Sequence, residues 1–279
     1  MKSILKTALR RSPEVASLFT GQVAAKRHRF AFESIEPITK AFPRMARDLE
    51  FDVSEMALVT LALARDFEKA VLGLPVVLSG GFHHGSLLCL EDSPLRGPEE
   101  LRGRKVAVRA FAQTTGVWVR GLLQHTYGVR TDEVTWIVSE GSHVQEYVDP
   151  PNVLRETNKS LIAMLEDGEV DAFIGVAPPG GPRLRTVIAN APEAAAAWHE
   201  RTRVLPVNHV LSLKQSLLEQ TPELGRELVE AFDKARPASS ALHFTREALR
   251  LSVETCLAYS KEQGILRHDL HHEDLFAGI

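Results

Sequence analysis

The sequence predicts an α/β fold with mostly parallel strands. Three observations carry that expectation. Short apolar runs alternate with segments of helical period along the whole chain. Several runs, "AVLGLPVVLS" and "GSLLCLE" among them, are apolar almost throughout, as strands covered on both faces are. Polar loops such as "AFAQTTG" follow a strand and open a helix.

Each element can be justified in order. "SILKTAL" reads as a first strand, and "HRFAFESI" alternates like a second. "PITKAFPRMARDL" has helical period, weakened by Pro43. "FDVSEMAL" is a short strand leading into the helix "ALVTLALARDF". "AVLGLPVVLS" and "GSLLCLE" are buried strands on either side of a turn that carries His83 and His84. "PEEL" is a short helix, "KVAVR" a strand, "AFAQTTG" a polar loop, and an amphipathic helix runs from Val117. "VTWIVS" is a strand, and "GSHVQEYVDPPNVLRE" is irregular. "LIAMLEDGEVDAFIGV" is helix, turn and strand, and "PPGGP" at 178–182 breaks the chain. "EAAAAWHE" is plain helix, and "PVNHVLSL" holds a strand. The remainder, "TPELGRELVEAFDKAR" and "TREALRLSVETCLAYSKEQG", is helical, with Thr221 before Pro222 at one start and Gly264 past the last turn.

The bulk numbers exclude several classes. The 279 residues are 44% hydrophobic and 25% charged, which suits one or two globular domains. A net charge of −3 offers no basic field for nucleic acid or an anionic membrane, and the cluster "AAKRHRF" reads as a solvated edge. No apolar run is long enough to span a bilayer. Lys6, Arg10, Arg11 and Pro13 interrupt the first stretch, so it lacks the apolar core of a secretory leader. Cys89 and Cys256 have no metal-type spacing and predict no disulfide framework. The expected compartment is the cytoplasm.

Ligands of open parallel sheets sit at the carboxyl ends of strands. That rule selects Ser54-Glu55-Met56, Gly80 to His84, Arg109 to Gly116, Glu140 to His143, and Asn208-His209. "VAVRAFAQTTG" is the strongest of these. Thr114 or Thr115 can cap the helix that follows, and the same N–H groups and hydroxyls can bind a carboxylate or phosphate, with Arg109 as a clamp. The alternative is a capping pair beside a surface arginine. His83, His84, His143 and His209 can exchange protons near neutral pH, or can be buried histidines bonded to carbonyls. "RHDLHHEDLF" offers His268, His271, His272, Glu273 and Asp274 at metal-like spacing, but at a polar chain end, so no metal site is expected there. Trp118 lies one turn into the anion-binding helix, and core packing is the competing role for it and for Trp136.

Several segments in order resemble the 4,5-dihydroxyphthalate decarboxylase family: "FPRMARDLEFDVSEMAL", "LPVVLSGGFHHGSL", "LRGRKVAVRAFAQTTGVWVRGLLQHTYGV", "MLEDGEVDAFIG", "LPVNHVLSLK" and "YSKEQGILRHDLHHEDLF". That family is similar to type II periplasmic binding proteins. The resemblance implies two α/β lobes joined by two crossover strands, with a ligand cleft between them. The crossovers are expected near "HGSLLCL" and "NHVLSLK", with lobe one at 1–85 plus 211–279 and lobe two at 86–210. It implies a small aromatic carboxylate as ligand and loss of CO2 from a hydroxylated ring without an organic cofactor. A divalent metal and the oligomeric state stay open, and the apolar face of a C-terminal helix is the surface a homo-oligomer would use. In the implied mechanism the ring carbon is protonated and CO2 then leaves. His84 is the expected proton donor, His209 faces the phenol, and Glu55 is the alternative partner. Ser54, His83, Arg109, Thr114, Thr115 and Trp118 are expected to bind substrate, the arginine and the threonines by holding a carboxylate. The chain departs from the family pattern where Gly80 or Gly81 and His83 stand in place of arginines, which leaves the identity of the ring open. The competing class is a solute-binding protein, of the ABC-transporter type or a cytosolic sensor, for a small carboxylate. A thiamin-pyrimidine synthase relationship finds no cysteine-rich run to support it.

Overall fold

The structure is a computed structural model and describes residues 3–278. Its strands are β1 (Ser3–Ala8), β2 (His28–Phe32), β3 (Val53–Ala57), β4 (Val71–Gly80), β5 (Leu87–Leu90), β6 (Lys105–Val108), β7 (Thr135–Val138), β8 (Val153–Arg155), β9 (Ala172–Ile174), β10 (Leu184–Thr186) and β11 (Val207–Lys214). Its helices are α1 (Ala16–Phe19), α2 (Ala41–Asp48), α3 (Leu58–Asp66), α4 (Thr114–Tyr127), α5 (Leu161–Glu166), α6 (Ala191–Thr202), α7 (Gln215–Gln220), α8 (Leu224–Ala235), α9 (Arg246–Glu262) and α10 (His272–Leu275). Among the described residues no helix is long and apolar enough to cross a membrane.

The chain forms two compact units. The first holds the residues up to Gly80, Val207–Glu254 and the stretch from His268. The second holds Gly81–Pro206 and Thr255–Arg267. The divide therefore falls a few residues before each expected crossover, and the end of α9 departs from the expected lobe. Packing explains that departure. Tyr259 meets Trp118 edge-on with ring centres 5.8 Å apart, and Gln263 Oε1 accepts from Arg120 Nε at 2.7 Å. A helical period shows which face of a helix is apolar, but not which sheet that face will cover.

The first unit is built on a five-stranded sheet of order β2-β1-β3-β11-β4. β1 lies parallel to β2 and β3, whereas β11 runs antiparallel to both β3 and β4. Leu5, Val53, Leu74, Leu211 and Leu213 form its core with Leu228 and Phe232 of α8. Leu224, Leu228, Ala231, Phe232 and Ala235 recur at helical spacing, which gives α8 one buried stripe. Helix α3 is buried on nearly every side, so its sequence is apolar all round. Pro43 does not break α2. It is the third residue of that helix, where the N–H it lacks would have had no intrahelical partner.

The second unit carries a six-stranded sheet of order β10-β5-β9-β6-β7-β8. β6 is parallel to β7 and β9, and β7 to β8, while β5 is antiparallel to β9 and β10. Both sheets are thus mixed, which corrects the mostly parallel expectation. β8 lies in the segment read as irregular, and β10 lies just past the chain-breaking "PPGGP", in a stretch for which no element is expected. At three residues each, they are too short to show alternation. Helix α4 starts at Thr114, three residues before the expected Val117.

Gly121 on α4 faces the Tyr259 ring, and a Cβ built there would lie 1.9 Å from a ring carbon. Alanine would favour the helix by about 1 kcal/mol, but the buried ring would have to move. Overpacking of this kind costs about 1–3 kcal/mol. Gly121→Ala is therefore expected to lower the urea midpoint with little change in the slope of the transition.

Candidate functional site

In the first unit the chemistry gathers at the carboxyl ends of β1 and β3. Leu211 is paired with Glu55 across the β3–β11 ladder, and His209 with Ala57. Glu55 and His209 are therefore diagonal neighbours on one face of the sheet. Glu55 is 2% exposed. A carboxylate so buried requires partners, and it has them. His209 Nδ1 lies 2.6 Å from Oε1, the Arg10 backbone N–H donates to Oε2 at 3.1 Å, and Arg10 Nη2 forms an ion pair at 3.9 Å. A carboxylate only accepts, so Nδ1 of His209 carries the proton and Nε2 is the nitrogen left for chemistry. The imidazole is only 17% exposed, and Phe42 meets it edge-on at 5.1 Å.

Arg10 was not among the expected site residues. It follows β1 directly, and its Nη2 also reaches the Leu78 carbonyl at 3.5 Å while its buried Nε has no partner. Beside it lies a cavity of about 500 Å³ lined by Arg10, Arg11, Ser12, Ser79 and Leu242. Ser79 is the β4 residue paired with His209, so the cavity adjoins the histidine's strand register. A charged residue two positions past the end of an apolar strand was the available signal.

In the second unit the turn before α4 is formed as a possible anion cradle, with a different cap from the expected one. Gln113 occupies the N-cap position, and its side chain makes no capping hydrogen bond. Thr114 and Thr115 are the first two residues inside the helix, so neither is its N-cap. Thr114 is buried and Thr115 half-buried. The first turn of a helix is a place where backbone N–H groups can meet an anion. Arg109 is held by Glu140, with Nη1 to Oε2 at 2.8 Å, so a ligand carboxylate would have to displace that glutamate.

His84 opens the short turn before β5 in the same unit and is 2% exposed. Its ring lies 5.8 Å from that of Trp198 and 6.4 Å from that of Phe82. Neither ring nitrogen has a hydrogen-bond partner. Burial pulls its pKa down to about 4, so the imidazole is neutral at neutral pH. His83 is buried next to it. Gly81 has φ +144°, a conformation that an arginine at that position would adopt only with strain.

No family model matches the chain. Among curated proteins, the 4,5-dihydroxyphthalate decarboxylase of Comamonas testosteroni is 27% identical, with 80% of this chain and 70% of that protein covered. The protein of the same name from Pseudomonas putida is also 27% identical, over 57% of this chain and 67% of that one. The chain is a relative of the 4,5-dihydroxyphthalate decarboxylases. Two solved structures show the fold of this decarboxylase relative. The alkanesulfonate-binding protein SsuA from Xanthomonas axonopodis pv. citri, bound to MOPS, superposes with a TM-score of 0.60 at 10% identity, covering 99% of this chain and 98% of that one. The desulfurization enzyme DszB, in complex with biphenyl-2-sulfinic acid, gives 0.59 at 14% identity, covering 99% and 97%. The fold is therefore that of the type II periplasmic binding proteins, and it houses a binding protein and an enzyme alike.

Two other expectations are corrected by the geometry, and the C-terminal histidines can be placed one by one. Trp118 is fully buried against Tyr259, so it is a core residue with no surface for a ligand. Ser54 is also fully buried. Its hydroxyl donates to the Glu55 carbonyl at 2.8 Å, and its own carbonyl accepts from Ser212 Oγ. The C-terminal histidines are engaged separately. His268 Nδ1 lies 2.9 Å from the buried Asp66 carboxylate, His271 lies 3.4 Å from Glu254, and the His272 ring stacks on Phe276. Only His272–Leu275 is helical there, so the helical spacing that suggested a shared face does not exist.

Proposed function

We propose that the chain is a carboxy-lyase that removes CO2 from a hydroxylated aromatic carboxylic acid by acid–base catalysis without an organic cofactor. The observation that carries this reading is the buried Glu55–His209 pair beside Arg10, in a relative of named decarboxylases. The relatives' name describes a ring in which each carboxylate has a hydroxyl para to it. Such a hydroxyl pushes electron density toward the carbon that bears the carboxylate. Protonation at that carbon gives a ketone-like intermediate. The C–C bond to the carboxylate then breaks, its electron pair returns to the ring, and CO2 departs. One proton enters and one CO2 leaves, so no external electrons are needed.

In this proposal His209 is the acid–base group. Glu55 stabilises its imidazolium and fixes its tautomer, as a carboxylate behind a histidine does. Arg10 is proposed as a partner for substrate oxygen. Arg109, Thr114 and Thr115 are proposed to hold a carboxylate, and neutral His84 to offer a hydrogen bond within its aromatic surroundings. His83 is left without an assigned role. The proposed ligand is a small aromatic carboxylate and the proposed compartment the cytoplasm, in keeping with two buried free cysteines.

The deciding experiment is CO2 release from purified protein with a panel of hydroxylated aromatic mono- and dicarboxylic acids, with and without chelator. Release that resists chelator is expected. Release abolished by chelator would assign the chemistry to a metal. Thermal stabilisation by one of the acids without any CO2 would replace the lyase by a solute-binding protein.

A further inference from the structure

His84 keeps two polar atoms where nothing answers them. The residue is 2% exposed, and both of its ring nitrogens are sealed from solvent without a hydrogen-bond partner. Trp198 stands 5.8 Å away between ring centres, and Phe82 6.4 Å. Phe82 also meets Trp198 at 6.4 Å and His199 at 5.5 Å, so the imidazole belongs to a cluster of four rings. His199 differs from it, because its Nδ1 donates to the Val204 carbonyl at 2.9 Å. Buried polar atoms without partners are rare and costly. A leucine would fill the same volume without that cost.

The chemistry of the ring narrows the partner. Burial holds the imidazole neutral at neutral pH, and no charged side chain contributes to that shift. In either tautomer a neutral imidazole has one N–H and one bare nitrogen. The bare nitrogen needs a donor. On an aromatic hydroxy acid at neutral pH the carboxylates are ionised and only accept, so the one donor is the phenolic O–H. A carboxylate against the bare nitrogen would also bury a negative charge among aromatic rings, facing a lone pair.

We propose that His84 is the residue that selects a ring hydroxyl, its bare nitrogen accepting the phenolic O–H of the substrate. Trp198 is 2% exposed and Phe82 39%, so Phe82 is the flanking ring that solvent reaches, and it turns aside to admit the hydroxyl. The inference rests on the aromatic hydroxy acid proposed above as substrate. It gives His84 a task apart from the proton that His209 delivers.

The test is calorimetric titration of the full chain with two matched pairs, benzoate against 3-hydroxybenzoate and isophthalate against 5-hydroxyisophthalate. In each pair the hydroxyl is meta to every carboxylate, so it cannot drive CO2 loss during the titration. The wild type is expected to bind the hydroxylated member of the better-bound pair about tenfold more tightly than its partner. In His84→Leu that preference should vanish through weaker binding of the hydroxylated member alone, with the melting temperature at neutral pH level or higher. A merely structural role would weaken both members together. His84→Gln keeps an amide oxygen that accepts, so it should restore part of the preference. 3-Methoxybenzoate retains the oxygen without the O–H and should bind the wild type no better than benzoate, a reading that stands even where no variant folds. A preference unchanged in His84→Leu overturns the inference, as does a loss shared equally by both members, or methoxy binding as tight as hydroxy. Equal wild-type affinity for both members of each pair also overturns it and leaves the carboxylate site standing. A wild type that binds none of the probes overturns the proposed aromatic-carboxylate site, and the role of His84 with it.

Discussion

His209→Gln is expected to lower CO2 release by about 10²–10⁴-fold, the usual contribution of a positioned acid–base group. Glutamine is similar in size and can still reach Glu55, so the β3–β11 packing should survive and the melting temperature should shift little. Glu55→Gln is expected to act through the histidine. It keeps a hydrogen-bond acceptor for Nδ1 but removes the negative charge that stabilises the imidazolium. The two side chains act as one unit, separated by 2.6 Å. The double variant should therefore be little slower than the slower single variant, because effects within a unit are not additive. Single-turnover assays of the three variants check this. Rates that multiply would mean independent roles. A His209→Gln variant with wild-type turnover would remove the histidine from the mechanism and leave the buried pair as a structural tie between strands.

Much of this pair is legible in the amino-acid order alone. Glu55 and His209 stand out because each is a titratable residue within a strand, in "FDVSEMAL" and "PVNHVLSL". Their mutual contact is not legible there, since it depends on a ladder that joins residues 154 positions apart. Arg10 is hidden for the same reason. In the sequence it only interrupts the first apolar stretch, and its place beside Glu55 follows from the pairing of β1 with β3 at Thr7–Val53 and Ala8–Ser54. Nothing in the sequence singles out Arg120, which is buried where the end of α9 packs on α4 through Tyr259 and Gln263. The turn proposed to hold a carboxylate is visible in "AFAQTTG", although the helix begins at Thr114, so neither threonine is its N-cap. Trp118 illustrates the limit from the other side. Its spacing along α4 places it near the turn, yet the face it occupies is the core face.

His84 supplies the second large expected effect, on stability as a function of pH. Its folded pKa is depressed to about 4 by burial, against about 6.5 in an unfolded chain. Between those values the unfolded state binds more protons than the folded one, so stability must fall as the solution is acidified. The contribution is intact above pH 6.5 and is lost progressively down to pH 4. A difference of this size is worth about 3 kcal/mol at one titrating site. His84→Leu removes the titrating group and keeps roughly the same volume beside Phe82 and Trp198. Urea unfolding at pH 7.5 and pH 4.5 should show the wild type losing clearly more stability than the variant over that interval. The same measurement decides between two roles for the residue. A neutral His84 can donate one hydrogen bond to a ligand, but it cannot hold the proton that a ring carbon must receive near neutral pH. That is why the proton is assigned to His209, which has a carboxylate behind it. If wild type and His84→Leu lose stability in parallel, the imidazole titrates normally, and delivery of the proton by His84 becomes the better assignment. Turnover gives the independent check. With proton delivery at His209, His84→Gln should slow CO2 release far less than His209→Gln does, and the reverse order would exchange the two roles.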